Sequence, residues 1–111
     1  MGETTFRAFF GDGEHDFTLT PWAIGELERI TGTGIGTLIQ RIPEYRFHHA
    51  ELTETLRLAL IGAGMSPEAA AQKVAVYATP RPIAEVLPLV LGTLQRAWAG
   101  AGDPVEDAAH G

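Results

Sequence analysis

Residues 4–21, TTFRAFFGDGEHDFTLTP, decide how the fold begins, because they predict two short strands, a tight turn and the start of a helix. Asp12-Gly13 can adopt the positive φ values of a two-residue type I′ turn, which predicts a β-hairpin. One face of this ribbon is then nearly all apolar, while Phe9 is a misfit on the polar face. An isolated two-stranded ribbon is marginally stable, so we expect the apolar face to pack on helices. Pairing outward from the turn predicts these cross-strand pairs: Phe10 with His15, Ala8 with Phe17, and Phe6 with Leu19.

The rest of the chain shows helical periodicity interrupted by glycine and proline. A first helix is predicted at residues 21–31, with Thr20 as N-cap, Pro21 at the first helical position and Gly32 as its stop. Pro88 lies inside the last helix and is expected to kink or divide it. The sequence therefore predicts a mainly α fold, an N-terminal β-hairpin followed by a compact bundle of about five short helices. The later helices are predicted from Gly34 to Pro43, from about Ala50 to Gly62, from Pro67 to Tyr77, and from Ile83 to Trp98.

A chain of 111 residues leaves room for one domain, and 45% hydrophobic with 20% charged residues is an ordinary globular composition. We expect a single helical domain with its hairpin over residues 1–100. Residues 101–111 are small, acidic and poor in apolar side chains, which predicts a disordered acidic tail.

Charge and composition exclude several classes of partner. The formal net charge is −6, and the 8 Lys and Arg residues are scattered singly, so nucleic acid is not expected as a partner. No apolar run reaches the ~20 residues that a membrane span needs, and no secretory leader is visible. The absence of cysteine excludes disulfides. We expect a cytoplasmic protein without membrane contact.

No set of residues predicts catalysis. The four histidines lack the spacing of a metal site, and Ser66 is explained by helix capping. The glycine-rich run at residues 32–36 lacks the preceding strand and the Gly-Lys-Thr ending of a phosphate-binding loop. We therefore predict no enzyme, no cofactor and no metal.

The last helix is the predicted partner-binding element, because its apolar residues cover more than one face. The alternative is that all of them fill the core. The predicted partner-binding residues are Val90, Leu91, Leu94, Trp98 and, on the ribbon, Phe9.

Several segments, taken in order, resemble a known family. Residues 17–28, FTLTPWAIGELE, are similar to the strand-into-helix entry of small proteins from the tail module of gene transfer agents and related tailed phages. Residues 58–70, LALIGAGMSPEAA, resemble the family's leucine-rich helix, glycine stop and Ser/Pro-capped alanine-rich helix. Residues 81–83 and 94–100 complete the likeness. It implies a tail assembly chaperone, also labelled a tail-tube-associated protein, that holds the tape measure protein before the tail tube polymerises.

The resemblance implies the tape measure protein, the tail tube protein and further copies of this chain as partners. A structural tail or head–tail connector component is the alternative, and it would assemble through edge strands. A DNA-binding helix-turn-helix around Gly32 is a third interpretation, but its second helix offers only Gln40 and Arg41 for contacts.

Overall fold

The computed structural model describes residues 3–101 and shows a mainly α fold with a two-stranded antiparallel hairpin, as predicted. The predicted tail, residues 101–111, lies outside the described residues except for Ala101. The elements are β1 (Thr5–Phe10), β2 (Gly13–Thr18), α1 (Pro21–Thr31), α2 (Ile35–Arg41), a 3-10 turn (Ile42–Glu44), α3 (His49–Gly62), α4 (Pro67–Tyr77) and α5 (Ile83–Ala99).

The hairpin register differs from the predicted one by two residues. The turn is formed by Gly11-Asp12, with φ of 69° at Gly11, which is where a type II′ turn requires glycine. The Asp12 carboxylate accepts a hydrogen bond from Lys73 of α4 and pairs with His15, which holds the turn in this position. Because the shift is even, each side chain keeps its predicted face. The observed pairs include Phe10 with Gly13, Ala8 with His15, and Phe6 with Phe17.

The apolar face of the hairpin packs on the helices, as predicted. Phe10, Phe17 and Leu19 are buried, and Phe6 and Ala8 are partly buried against the same core. The Phe10 ring lies 5.7 Å from Phe17 and 6.0 Å from Tyr77 of α4, both in edge-on geometry. Such aromatic contacts fix the hairpin across the bundle.

Helix α1 begins and ends at the residues that the sequence predicts, because the residues next to its two ends cap it. The Thr20 hydroxyl accepts the Ala23 N–H at 3.1 Å, Pro21 opens the helix, and Gly32 ends it with φ of 67°. Helical spacing predicts that Ala23, Leu27 and Ile30 share the buried face of α1. Ala23 and Leu27 are buried, but Ile30 is exposed.

The central element is α3, which contacts α1, α4, α5 and β2. The Thr55 hydroxyl donates to the Glu51 carbonyl at 2.6 Å, so this buried polar group is satisfied within the helix. At the end of α3, Gly62 lies directly against the Thr18 carbonyl of β2. Helical spacing predicts one apolar stripe on α3, made of Leu52, Leu56, Leu60 and Ala63. The buried apolar face is broader and consists of Leu52, Leu56, Leu58, Ala59 and Leu60, whereas Ala63 is exposed.

The last helix, α5, runs without interruption through Pro88, so the predicted division there does not occur. Its inner face carries Val86, Val90, Thr93 and Leu94, all buried. The Arg96 guanidinium donates to the Thr5 carbonyl at 3.1 Å and ties the end of α5 to the start of β1. None of the helices within residues 3–101 is long and apolar enough to cross a membrane.

Candidate partner-binding surface

The outer face of α5 carries apolar side chains that are exposed or only partly buried against the core. Trp98 is 71% exposed, Ile83 is also exposed, and Leu87 and Leu91 are half-buried. Because Leu87, Leu91 and Trp98 are spaced by four and seven residues, they lie on one side of the helix. This outer face is thus separate from the buried face of the same helix.

A hollow lies beside the outer face of α5, and the short segment before α3 forms its opposite wall. Its Tyr45 side chain is 77% exposed, and Phe47 is partly buried against the core. Tyr45 has φ of 65°, and its N–H donates to the Ile42 carbonyl at the end of the 3-10 turn. A positive φ is uncommon for a residue with a large side chain, and here it turns the chain back toward α3.

An ion pair holds that segment in place. The Arg41 guanidinium donates to both Glu51 carboxylate oxygens, at 2.9 and 2.6 Å, and also to the Arg46 carbonyl at 2.6 Å. The Glu51 carboxylate also accepts the His48 N–H at 2.9 Å, which caps α3. The Arg41 hydrogen bonds lower the pKa of Glu51, and burial opposes that effect. The chain on both sides of Tyr45 is therefore fixed.

Together the two walls form an uncharged hollow of about 510 Å³. Among the described residues, no carboxylate, guanidinium, amine or imidazole lines it. A second, smaller hollow of about 380 Å³ adjoins it, because Leu91 lines both. The lining of the larger hollow is Tyr45, Phe47, Ile83, Ala84, Leu87, Pro88 and Leu91.

The five predicted partner-binding residues are divided by the structure. Val90 and Leu94 are buried in the core, although Leu94 also lines the smaller hollow. Leu91 and Trp98 lie on the outer face of α5. Phe9 is 64% exposed, but it lines a different hollow between β1, α4 and α5, where Arg81 and Glu85 form an ion pair. Thus Leu91 and Trp98 share the outer face of α5, Leu94 meets Leu91 in the smaller hollow, and Phe9 lies apart from both.

Tyr45 and Phe47 were missed as site residues in the sequence, where they lie in an aperiodic loop. Tyr45 and Phe47 lie within three residues of each other, and aromatic enrichment is the one signal that indicates a contact surface. The ten-residue separation of Arg41 and Glu51 follows no helical spacing, so nothing local predicts the ion pair.

Within the described residues no group of three or more histidine, aspartate or glutamate side chains is placed to hold a metal ion. Apolar side chains dominate the lining of the larger hollow, and this composition suits contact with another apolar surface.

Comparison with known proteins identifies a family over nearly the whole chain. A family model described as "Phage tail tube protein, GTA-gp10" matches residues 3–100. No curated protein matches the chain, and neither does any solved structure. The matched range contains both strands, all five α-helices and the whole outer face of α5. The chain therefore belongs to the phage tail tube protein family GTA-gp10, and is a component of a phage-type tail system.

Proposed function

We propose that this protein is a tail assembly chaperone that binds the tape measure protein through the outer face of α5 and so supports assembly of the tail tube. The observation that carries the proposal is the uncharged hollow between α5 and Tyr45. Such a surface suits an amphipathic helix, which lays its apolar side chains into a groove. Tape measure proteins are long and helical, so they offer many such segments. Assembly of this kind takes place in the cytoplasm, before the particle is complete.

The charge distribution supports an apolar mode of recognition. Every arginine and lysine in the described residues is held by a partner in the protein: seven pair with carboxylates, and Arg96 binds the Thr5 carbonyl. No free cation lies beside the hollow within residues 3–101, so binding there is expected to depend weakly on salt.

The test is co-expression with the tape measure protein, comparing two isoleucine variants. Ile83→Glu puts a charge into the hollow, whereas Ile30→Glu puts the same charge on α1, away from it. The two side chains are 46% and 41% exposed, so neither variant should unfold the protein. Glutamate at position 83, the first residue of α5, is also favoured by the helix dipole.

The wild type and Ile30→Glu should raise the soluble yield of the tape measure protein, and Ile83→Glu should not. Direct titration of the purified proteins should show binding weakened about 10-fold or more in Ile83→Glu. A wild-type protein that neither binds the tape measure protein nor changes its solubility would refute the chaperone assignment.

A structural tail component is the second candidate, and two observations favour it. The family description names a tail tube protein. The outer edge of β1 also has unpaired backbone groups. The register directs the N–H and C=O groups of Arg7 and Phe9 away from β2, and no hydrogen bond to these groups occurs within residues 3–101. Mass spectrometry of purified particles separates the candidates, because a chaperone is absent from the finished particle and a structural component is present.

A further inference from the structure

We propose that two copies of this protein form a symmetric dimer through the outer faces of their α5 helices, with Trp98 of each copy seated over Ala84 of the other. The inference starts from the spacing of residues along α5. Ala84 and Trp98 lie seven residues before and seven residues after Leu91. A two-fold axis at Leu91 therefore brings each Trp98 opposite Ala84 of the antiparallel partner helix, roughly 10 Å from the axis.

The two positions are complementary in shape. Trp98 projects a large side chain that nothing in the described residues covers, since it is 71% exposed. Ala84 is the smallest side chain in the lining of the 510 Å³ hollow, and Ile83, Leu87 and Pro88 surround it. An indole placed over Ala84 is thus received by apolar walls, with Tyr45 and Phe47 at the rim.

The two positions are also complementary in hydrogen bonding. Pro88 has no N–H, so the Ala84 carbonyl lacks the donor that the next turn of a helix normally supplies. Ala84 and Pro88 both line the hollow, where a partner can reach them. The indole N–H of Trp98 forms no hydrogen bond within residues 3–101 and is a donor only. At each of the two contacts, the Trp98 N–H of one copy therefore meets an Ala84 carbonyl of the other copy that lacks its helical donor.

Electrostatics permit the contact. The positions three, four and seven residues from Leu91 share its face, and none of them is charged: Ala84, Leu87, Pro88, Leu94, Gln95 and Trp98. Antiparallel pairing also sets the N-terminus of each α5 beside the C-terminus of the other, where the helix dipoles attract. The contact is only one helix wide, so we expect a dissociation constant on the order of micromolar or weaker.

The dimer itself does not depend on the proposed function. If the tape measure protein binds the same face, the two contacts exclude each other, and self-association covers the apolar surface until the partner arrives. The dimer is measured on the isolated full-length chain, so its failure is distinguishable from failure of tape measure binding.

The first test uses analytical ultracentrifugation of the full chain at concentrations up to about 1 mM, a range that detects weak association. We expect a concentration-dependent dimer of the 11.9 kDa chain. Trp98→Lys and Ala84→Glu should each weaken dimerisation about 10-fold or more. Both variants place a charge that the helix dipole favours, at the C-terminal and N-terminal ends of α5 respectively, so folding should be retained.

Mixing the two variants provides the specific control. In the mixed dimer one Trp98 still meets a native Ala84, and in the other contact the introduced lysine faces the introduced glutamate, so dimerisation should recover. Trp22→Lys, which changes an exposed tryptophan on α1, should leave dimerisation unchanged.

A second test locates the axis. The natural chain has no cysteine, so Leu91→Cys should give a disulfide-linked dimer on mild oxidation, while Ile30→Cys should not. A monomer at every concentration would overturn the proposal, and so would a dimer that survives both charge variants or fails to cross-link at position 91.

Discussion

Replacing Gly62 with alanine should destabilise the protein, although alanine is the better helix former. A Cβ at position 62 would lie well inside 3.0 Å of the Thr18 carbonyl oxygen, a separation that real Cβ atoms essentially never show. The neighbour is backbone, so no side-chain rotation relieves the contact, and the end of α3 must move away from β2. Overpacking of this kind costs about 1–3 kcal/mol, and the gain in helix propensity offsets at most about 1 kcal/mol of it.

Gly25→Ala is the matched control, because Gly25 lies within α1 and a Cβ there meets nothing within 4 Å. It should stabilise the protein by about 0.5–1 kcal/mol through helix propensity alone. Urea denaturation followed by circular dichroism measures both changes, and the melting temperature should shift by about 4–8 °C per kcal/mol. If Gly62→Ala proved as stable as Gly25→Ala, the close approach of α3 to β2 would be wrong.

The remaining predictions concern the turn, the helix caps and the two faces of α5. The hydrogen bonds from Lys73 and His15 lower the pKa of Asp12 from 3.8 to about 2, so the stability they confer is present above pH 3.8 and is lost as pH falls toward about 2. Urea midpoints measured across this range should fall less in Asp12→Asn than in the wild type. Thr20→Ala removes the N-cap of α1 and should cost about 1 kcal/mol in urea denaturation, whereas an unchanged midpoint would contradict the capping role. Leu94→Lys should unfold the protein by burying a charge, whereas Trp98→Lys should leave the circular dichroism spectrum and melting temperature nearly unchanged.

Elements with local signals were predictable from the sequence. The bounds of α1 follow from Thr20, Pro21 and Gly32, because capping and the left-handed stop depend only on neighbouring residues. The N-cap of α4 followed equally from Ser66, whose hydroxyl accepts the Ala69 N–H at 3.2 Å. The apolar face of the hairpin was predictable from its alternating pattern.

The hairpin register was not predictable from the turn sequence alone. Gly11-Asp12-Gly13 offers a glycine on either side of Asp12, so two neighbouring two-residue turns are both sterically allowed. Contacts with α4 select between them, since the Gly11 backbone lies against the Tyr77 ring and Asp12 binds Lys73. Lys73 lies 61 residues from Asp12 and has no sequence signal that joins it to the turn.

The candidate surface was predictable only in part, because periodicity shows that α5 is apolar on more than one side but not which side faces inward. The answer depends on how the other elements are arranged. Helix α5 packs on β1, β2, α3 and α2, whereas α4 packs chiefly on α3. As a result, α4 does not cover the outer face of α5. Val90 and Leu94 are consequently buried, Leu91 is half-buried at the edge of the core, and Trp98 is exposed. The inner face of α5 therefore forms part of the core, whereas its outer face packs on the core only through half-buried Leu87 and Leu91 and leaves Trp98 exposed.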